Sequence, residues 1–565
     1  MRILCLASVF GLVGSAISQS TTADAYFGTE STIAKAGLLA NIGPSGAKSS
    51  GAKSGIVIAS PSTTNPNYLF TWVRDSSLVF KVIIDQFTLG QDPSLRGQID
   101  NFFTAEAALQ QVSNPSGTIS TGGLAEPKYN IDGTAFTGPW GRPQRDGPAL
   151  RSTSLITYAN WLLGQGNSSF VTNTLWPVIK LDLDYVATYW NQSTFDLWEE
   201  INSSSFFTTA VQHRALREGS ALATRIGQSA SVGTYNTQAN NILCFLQTFW
   251  NPAAGYITAN TGGGRSGKDS NTILASIHTW DIQAGCDATT FQPCSDKALS
   301  NLKVYVDSFR SVYPINSGVS ATSADVYFNG NPWYLSTFAI AEQLYDAILT
   351  WQSVGSIQVT STSLAFFRQF APSISTGTYA ASSSQYSQLT SAIKTFADGF
   401  VEIAAKYTPS NGGLAEQFEK STGTPLSAAD LTWSYASVLT ASAAHAGLTP
   451  ASWGASGLTV PGSCVSNPGP QASVTFNVQA TTQFGENIFL SGSVDALENW
   501  SSDNALPLSA AAYPVWSITV NVPANTNIQY KYIRKFNGGV TWESDPNNSF
   551  NTPASGSVTL NDSWR

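Results

Sequence analysis

The sequence predicts two folded units of different class, a large all-α domain followed by a small all-β sandwich. Three observations predict it. Between about residues 28 and 450 the long segments carry apolar residues at helical period, and after Cys464 the apolar positions alternate at strand period. Between the two patterns lies the short breaker run Val465-Ser466-Asn467-Pro468-Gly469-Pro470.

The first residues, a basic Met1-Arg2, an apolar stretch from Ile3 to Ile17 and small residues around Ser15 to Ser18, read as a cleaved secretory signal over residues 1–18. No later apolar run reaches about 18 residues, so no membrane span is expected. Removing the signal removes Cys5 and leaves four cysteines, which allow three pairings. Cys286 and Cys294 are eight apart and would clip a local loop, leaving Cys244 with Cys464 as a long closure. Asn-x-Ser/Thr sequons at Asn167, Asn191, Asn202, Asn499, Asn547 and Asn561 fit the same oxidising, extracellular compartment.

In the helical region, Ile393, Phe396, Ala397, Phe400, Val401 and Ala404 mark the buried face of a helix over Ser391 to Tyr407. Pro332 is expected to open a second helix, Trp333 to Trp351, at the first-turn position that tolerates proline. A third is expected from Ser427, with Ser427-x-x-Asp430 as its cap signal. The loops between helices are rich in Gly, Pro and Trp, as in Gly138 to Pro148 and Thr261 to Asp269. Beyond Cys464, Val474, Phe476 and Val478 alternate, as do Trp516, Ile518, Val520 and Val522, then Ile528, Tyr530 and Tyr532. Six or more short strands in this span indicate an all-β sandwich of immunoglobulin-like size.

Charge and composition narrow the chemistry. With 28 Lys plus Arg against 36 Asp plus Glu, a net charge of −8 excludes an electrostatic grip on nucleic acid. Only 11% of residues are charged whereas 12% are aromatic, and the sequence has three His but no His-Glu-x-x-His and no Gly-x-Ser-x-Gly. Carboxylate chemistry in an aromatic setting is left, as sugars require: rings stack on pyranose faces and two carboxyls serve as acid and base. Two segments supply candidates, Asp196-Leu197-Trp198-Glu199-Glu200 and Gly412-Gly413-Leu414-Ala415-Glu416-Gln417-Phe418. In the first, mutual repulsion of adjacent carboxylates beside Trp198 favours one as a general acid. In the second, the double glycine lets backbone approach a ligand closely.

Together with Thr71-Trp72-Val73-Arg74-Asp75, Gly141 to Arg151, Ser266-Gly267-Lys268-Asp269 and Gly330-Asn331-Pro332-Trp333, these segments resemble the fungal glucoamylases of glycoside hydrolase family 15 over nearly the whole mature chain. The resemblance implies an (α/α)6 barrel catalytic domain over residues 19–455, a linker at 456–470 and an immunoglobulin-like family 20 starch-binding module at 471–565. It implies a secreted monomeric exo-hydrolase that cleaves α-1,4 and, more slowly, α-1,6 bonds from non-reducing ends with inversion. Starch, glycogen and maltooligosaccharides would be its substrates, with no metal or organic cofactor and no nucleic-acid or membrane partner.

By motif, Glu199 corresponds to the general acid and Glu416 to the general base, 217 positions apart. Tyr68, Trp72, Arg74, Asp75, Trp140, Leu197, Trp198, Glu200 and Trp333 correspond to substrate-binding positions. In the starch module, Leu497-Glu498-Asn499-Trp500, Tyr530-Lys531-Tyr532 and Thr541-Trp542-Glu543-Ser544-Asp545-Pro546 stand in the family's order. Trp500 and Trp542 would form one stacking platform, with Lys531 and Asn547 as polar contacts. Phe484, where the family usually has Tyr, and Tyr513 would belong to a second site. One departure matters for catalysis: Thr322-Ser323-Ala324-Asp325-Val326-Tyr327 replaces the family's Gly-Arg-Tyr-Pro-Glu-Asp, so a substrate-binding arginine is missing. Loss of one charge-assisted contact costs about 1.5 to 3 kcal/mol. The alternative it motivates is a starch-binding protein with impaired catalysis.

Overall fold

The computed structural model of the protein describes residues 22–262, 267–310, 330–462, 471–524, 526–553 and 556–565. The expected signal at 1–18, the departure at Thr322 to Tyr327, and Cys464 with its proposed pairing to Cys244 lie outside the described residues. Among the described residues twelve helices of eight residues or more occur. They are α1 Thr22–Ala40, α2 Val73–Thr88, α3 Arg96–Gln110, α4 Asp146–Gly164, α5 Trp176–Tyr189 and α6 Phe206–Arg225. After these come α7 Ser229–Leu246, α8 Asn271–His278, α9 Asp296–Arg310, α10 Tyr334–Val354, α11 Ser384–Tyr407 and α12 Thr432–His445.

The even-numbered helices pack on one another in turn, α2 on α4, α4 on α6, α6 on α8, α8 on α10 and α10 on α12, and α12 returns to α2. Each odd-numbered helix packs on an even one: α3 on α2, α5 on α4, α7 on α6, α9 on α8, α11 on α10 and α1 on α12. Sequence pattern explains the division. Tyr334 to Ile348 of α10 and Asp146 to Ala159 of α4 are buried without a break, as helices surrounded on all sides must be. In contrast α11 buries one stripe, including Ile393, Ala397, Phe400, Val401 and Ala404, as its periodicity predicts. Close helix contact also needs Gly219 of α6, where an added Cβ would lie 2.4 Å from a Leu183 methyl of α5.

A buried ion cluster ties four helices together. Arg151 of α4 donates from Nε and Nη2 to Asp182 of α5, each at 2.7 Å, and from Nη1 to Glu106 of α3 at 2.9 Å. The other Glu106 oxygen accepts from the Ser76 hydroxyl of α2 at 3.0 Å. Paired charges with satisfied hydrogen bonds are tolerated in a core, whereas a lone buried carboxylate is not.

Two expected helix starts are corrected. Pro332 does not open α10: Trp333 is extended (φ −102°, ψ 138°) and bridges Gln417, while the Pro332 carbonyl accepts from Phe418 N–H at 3.0 Å. Strand-like pairing with a distant loop therefore holds the segment out of the helix. Nor does Ser427-x-x-Asp430 cap α12, which begins at Thr432; Ser427 and Asp430 have φ of 68° and 52°. The Ser427 hydroxyl instead donates to Glu416. The Cys286–Cys294 disulfide is present, with Cα atoms 4.9 Å apart.

The C-terminal part forms two sheets. Its strands are β1 Gln471–Gln479, β2 Asn487–Gly492, β3 Leu506–Pro507, β4 Ser509–Ala512, β5 Val515–Pro523, β6 Asn527–Phe536, β7 Gly539–Trp542, β8 Asn548–Asn551 and β9 Ser557–Ser563. One sheet runs β4-β5-β1-β9 and the other β3-β2-β6-β7, with β8 also paired to β6. Among the described residues of this part only β1 and β9 pair in parallel. Val474, Phe476 and Val478 from the first sheet and Ile528, Tyr530 and Tyr532 from the second share one core, so the predicted alternation is the inward face. No described helix is long and apolar enough to cross a membrane.

The ion cluster generates a stability prediction. Arg151→Met leaves two buried carboxylates without their cation and should cost about 3 to 5 kcal/mol, read as a lower midpoint in chemical denaturation.

Candidate active site

The segments entering α2, α4, α10 and α12 supply one cavity. Thr71–Trp72 pairs with Lys128–Tyr129 and delivers Arg74 and Asp75 to the first turn of α2. Asp146 opens α4, Trp333 precedes α10, and Trp433 lies in the first turn of α12. A turn between two short paired strands, Thr194–Phe195 and Asn202–Ser203, contributes Leu197, Trp198 and Glu199. Tyr68, Trp72, Arg74, Asp75, Leu197, Trp198, Glu199, Trp333 and Glu416 line a cavity of about 430 Å³, continuous in its lining with an outer part that adds Trp140 and Glu200. Every sequence-predicted residue of the first site is thus brought to one place.

Glu199 is held by convergent donors on one oxygen. Its Oε1 accepts from Trp72 Nε1 at 2.7 Å, Gln144 Nε2 at 3.0 Å and Arg74 Nη2 at 3.3 Å. The residue sits at φ 66°, a region costly for a side chain with a Cβ. Asp196 holds the turn that imposes it: its carbonyl accepts from Glu199 N–H at 2.9 Å and its Oδ1 from Glu200 N–H at 3.0 Å. Asn260 Nδ2 in turn donates to Asp196 Oδ2 at 3.0 Å.

Glu416, 3% exposed, reaches the cavity from a different direction. Its Oε2 accepts from the Ser427 hydroxyl and from Gln417 Nε2 at 3.3 Å. The neighbouring backbone is fixed by the Trp333–Gln417 bridge and by Glu416 N–H donating to Ala428 O at 2.8 Å. Both Oε2 partners are uncharged donors, whereas Glu199 faces a guanidinium.

That guanidinium is 5% exposed and nearly fully committed. Arg74 Nη1 donates to Gln144 Oε1 at 2.8 Å and Asp146 Oδ2 at 3.0 Å; its Nε, 3.8 Å from Asp75 Oδ2, has no hydrogen-bond partner. Burial pushes the Asp75 carboxyl up to about 7; Arg74 opposes the shift, and Glu199 and Asp146 add to it. Lys128 lies inside a box of four rings, its Nζ 3.4 Å from the Trp140 ring centroid, 4.2 Å from those of Phe70 and Phe136, and 4.5 Å from that of Trp72. Burial lowers its ammonium to about 8, opposed by attraction to Glu199.

The walls are aromatic. Tyr68 meets Trp72 edge-on at 5.3 Å between centroids, and Trp72 meets Trp140 at 5.8 Å. Trp198 lies 5.0 Å from Trp333 and stacks with Trp433 at 6.4 Å, with its indole N–H on Asp269 Oδ1 at 2.6 Å. The buried indole nitrogens of Trp140 and Trp333 have no hydrogen-bond partner. Apolar ring faces set beside a few polar groups suit the two sides of a sugar ring. Among the described residues no group of three or more His, Cys, Asp or Glu is arranged to hold a metal ion.

Residues 32–443 match the family model for glycosyl hydrolases family 15. The chain belongs to glycosyl hydrolase family 15. Residues 471–562 match the starch binding domain model, so a starch-binding domain follows the family 15 unit. The chain is 62% identical to Glucoamylase-1 of Schizophyllum commune, over 99% of this chain and 98% of that protein. It is 49% identical to the glucoamylase of Neurospora crassa, over 96% and 94%. Among solved structures, the family 15 glucoamylase from Hypocrea jecorina superposes with a TM-score of 0.76 at 48% identity, covering 96% of this chain and all of that one.

In the starch-binding domain of this family 15 chain, Trp500 and Trp542 face each other with centroids 6.4 Å apart and planes inclined by 48°. Asn547 Nδ2 donates to Gln529 Oε1 at 2.8 Å, and Lys531 Nζ is engaged by Glu543 O at 3.1 Å and Asp545 Oδ1 at 2.5 Å. Phe484 is fully exposed and Tyr513 half exposed; the Tyr513 hydroxyl meets Thr482, two residues from Phe484, at 3.3 Å. Trp500 and Trp542 are thus neighbours, and Tyr513 lies against the segment that carries Phe484.

Sequence reasoning missed Lys128, Trp433, Ser427, Gln144 and Asp146 as cavity or supporting residues of the family 15 site. Gln144 and Asp146 stand inside the Gly141 to Arg151 motif, which was their available signal. Lys128 carried none, because its ring partners come from four separate positions.

Asp75 generates a pH prediction. Its folded carboxyl holds a proton up to about pH 7 whereas the unfolded one releases it near 3.8. Its contribution to stability is present at low pH and lost as pH rises through that window, by up to about 1.4 kcal/mol per pH unit. Urea unfolding between pH 4.5 and 7 should show a shallower decline for Asp75→Asn than for the wild type.

Proposed function

We propose that Glu199 protonates the glycosidic oxygen of a terminal glucose while Glu416 draws the proton from a water attacking the opposite face of the anomeric carbon. The chain is then a glucan 1,4-alpha-glucosidase, an inverting glycoside hydrolase acting on starch and maltooligosaccharides. The observation that carries this reading is the pair of carboxylates, 217 residues apart in sequence, lining one aromatic cavity with different hydrogen-bond surroundings.

The division of labour follows from those surroundings. Three N–H donors crowd Glu199 Oε1, so a proton on that oxygen would meet donors; it resides on Oε2, from which it can pass to a leaving group. Glu416 Oε2 is anchored by Ser427 and Gln417, which orients the carboxylate as a base. Inversion requires about 6.5 to 9.5 Å between the two carboxyls to admit the water. Arg74 and Asp75 line the cavity as a donor and an acceptor for adjacent glucose hydroxyls, and Trp140 and Trp333 add ring faces to its walls. Tyr68, Trp72, Trp198, Leu197 and Glu200 complete the walls. Release of β-D-glucose from non-reducing ends, with slower α-1,6 cleavage, is the resulting activity.

The closed circuit α2-α4-α6-α8-α10-α12 with an odd helix on each supports an (α/α)6 barrel over residues 19–455. The two sheets sharing a core support an immunoglobulin-like sandwich over 471–565, joined through 456–470. In it, Trp500 and Trp542, with Lys531 and Asn547, make one glucan platform, and Phe484 with Tyr513 a second. A secreted monomer acting on starch and glycogen completes the reading. Similarity at 62% to Glucoamylase-1, and both carboxylates lining the cavity, favour the hydrolase over a starch-binding protein with impaired catalysis.

Three outcomes are expected. NMR of soluble starch digestion should show β-glucose as the first product, and Glu199→Gln should lower kcat by at least about 100-fold while granular-starch adsorption stays unchanged. Initial α-glucose, or maltooligosaccharide products, would sink the proposal. Trp542→Ala should weaken adsorption to granular starch about tenfold and leave maltotriose hydrolysis at the wild-type rate, measured by depletion and initial-rate assays.

A further inference from the structure

We propose that the far end of the even-numbered helices holds a second binding site, for a small organic ammonium ion, with Asp346 and Glu342 as its charged floor. A cavity opens there between α2, α4, α6, α8, α10 and α12. It shares no lining residue with the front cavity. Asp346 lies thirteen residues along α10 from Trp333, about 20 Å at 1.5 Å per residue.

Charge accounting on each surrounding element identifies the ligand class. Lys81 of α2 is neutralised by Asp85, with Nζ to Oδ1 at 2.6 Å. Arg214 of α6 is neutralised by Glu218 at 3.2 Å and donates to the His278 carbonyl at 2.6 Å. His278 of α8 stays neutral, since burial, with Arg214 and Lys81 nearby, holds its imidazole down at about 3. From α12, Thr440 donates its hydroxyl to Glu342 Oε2. Asp346 is 1% exposed, and neither of its oxygens has any hydrogen-bond partner. Two buried acids four residues apart on one helix face are therefore the lining carboxyls without a cationic partner, and an unpaired buried acceptor is expensive.

An ammonium group supplies three donors and the missing charge at once. The walls above the acids include Leu78, Leu150 and Leu439, and at the rim Leu89 and Leu448 are 48% and 38% exposed, which suits an apolar body attached to the cation. Without a ligand, burial pushes Glu342 up to about 8 and Asp346 upward as well, so at pH 6.5 a bound cation must displace a proton.

The test uses the full-length protein at pH 6.5 with cyclohexylammonium chloride and, as the uncharged control, cyclohexanol. Thermal unfolding should shift upward and saturably with the ammonium ion and not with the alcohol. Calorimetric titration in two buffers of different ionisation enthalpy should show proton release on binding. Asp346→Asn should weaken the apparent Kd at least tenfold and hydrolyse maltotriose at the wild-type rate in the absence of amine. If that variant does not fold, Glu342→Gln must weaken binding by the same criterion. No saturable shift, an equal shift with cyclohexanol, or undiminished affinity in the variant, which would place the amine among the front carboxylates, each overturns the proposal.

Discussion

The guanidinium of Arg74 sits almost without water at the start of α2, and three carboxylates arrive there from three different segments. Asp75 comes from the same turn, Asp146 from the start of α4, and Glu199 from the turn between two short strands. A buried cation is stable only with such partners, and its partners are stable only with it. The position of the proposed acid relative to α2 and α4 is therefore set by charge compensation as much as by packing. Gln144 shows the coupling, since its oxygen accepts from Arg74 and its nitrogen donates to Glu199.

The helices that carry this cluster are enclosed on nearly every side, and their entering segments rather than their bodies carry the chemistry. That arrangement separates two requirements. Apolar helix bodies hold a rigid frame, while irregular backbone at their starts tolerates conformations a helix cannot, such as Glu199 at φ 66° or the extended Trp333. At the opposite ends the same helices leave Asp346 and Glu342 facing a second cavity, so one frame presents acids at both ends.

How much was legible in the sequence depended on whether the cause was local. The buried stripe of α11 and the alternation of β1 were readable because periodicity follows from backbone geometry within one segment. The motifs around Glu199 and Glu416 pointed to the site through resemblance and through carboxylates beside aromatics. Pro332 and Ser427 were misread because each obeys a remote partner: Pro332 accepts from Phe418, and Ser427 donates to Glu416. Local cap signals lost to those contacts. Lys128 was invisible because a lysine in isolation reads as solvent-exposed, and only the convergence of Phe70, Trp72, Phe136 and Trp140 makes it a buried cation.

By itself the sequence determined two folded units of different period and a low-charge aromatic chemistry built on carboxylates, and it offered the Cys286–Cys294 clip among the pairings four cysteines allow. Each follows from residues near one another in the chain or from composition. Only the tertiary structure decided which three donors share one oxygen of Glu199, that Ser427 serves Glu416 and not a helix end, and that buried Asp346 keeps no hydrogen-bond partner. The physical reason is that a buried polar group must find its compensation in space, and the fold chooses those partners from segments that the chain order does not bring together.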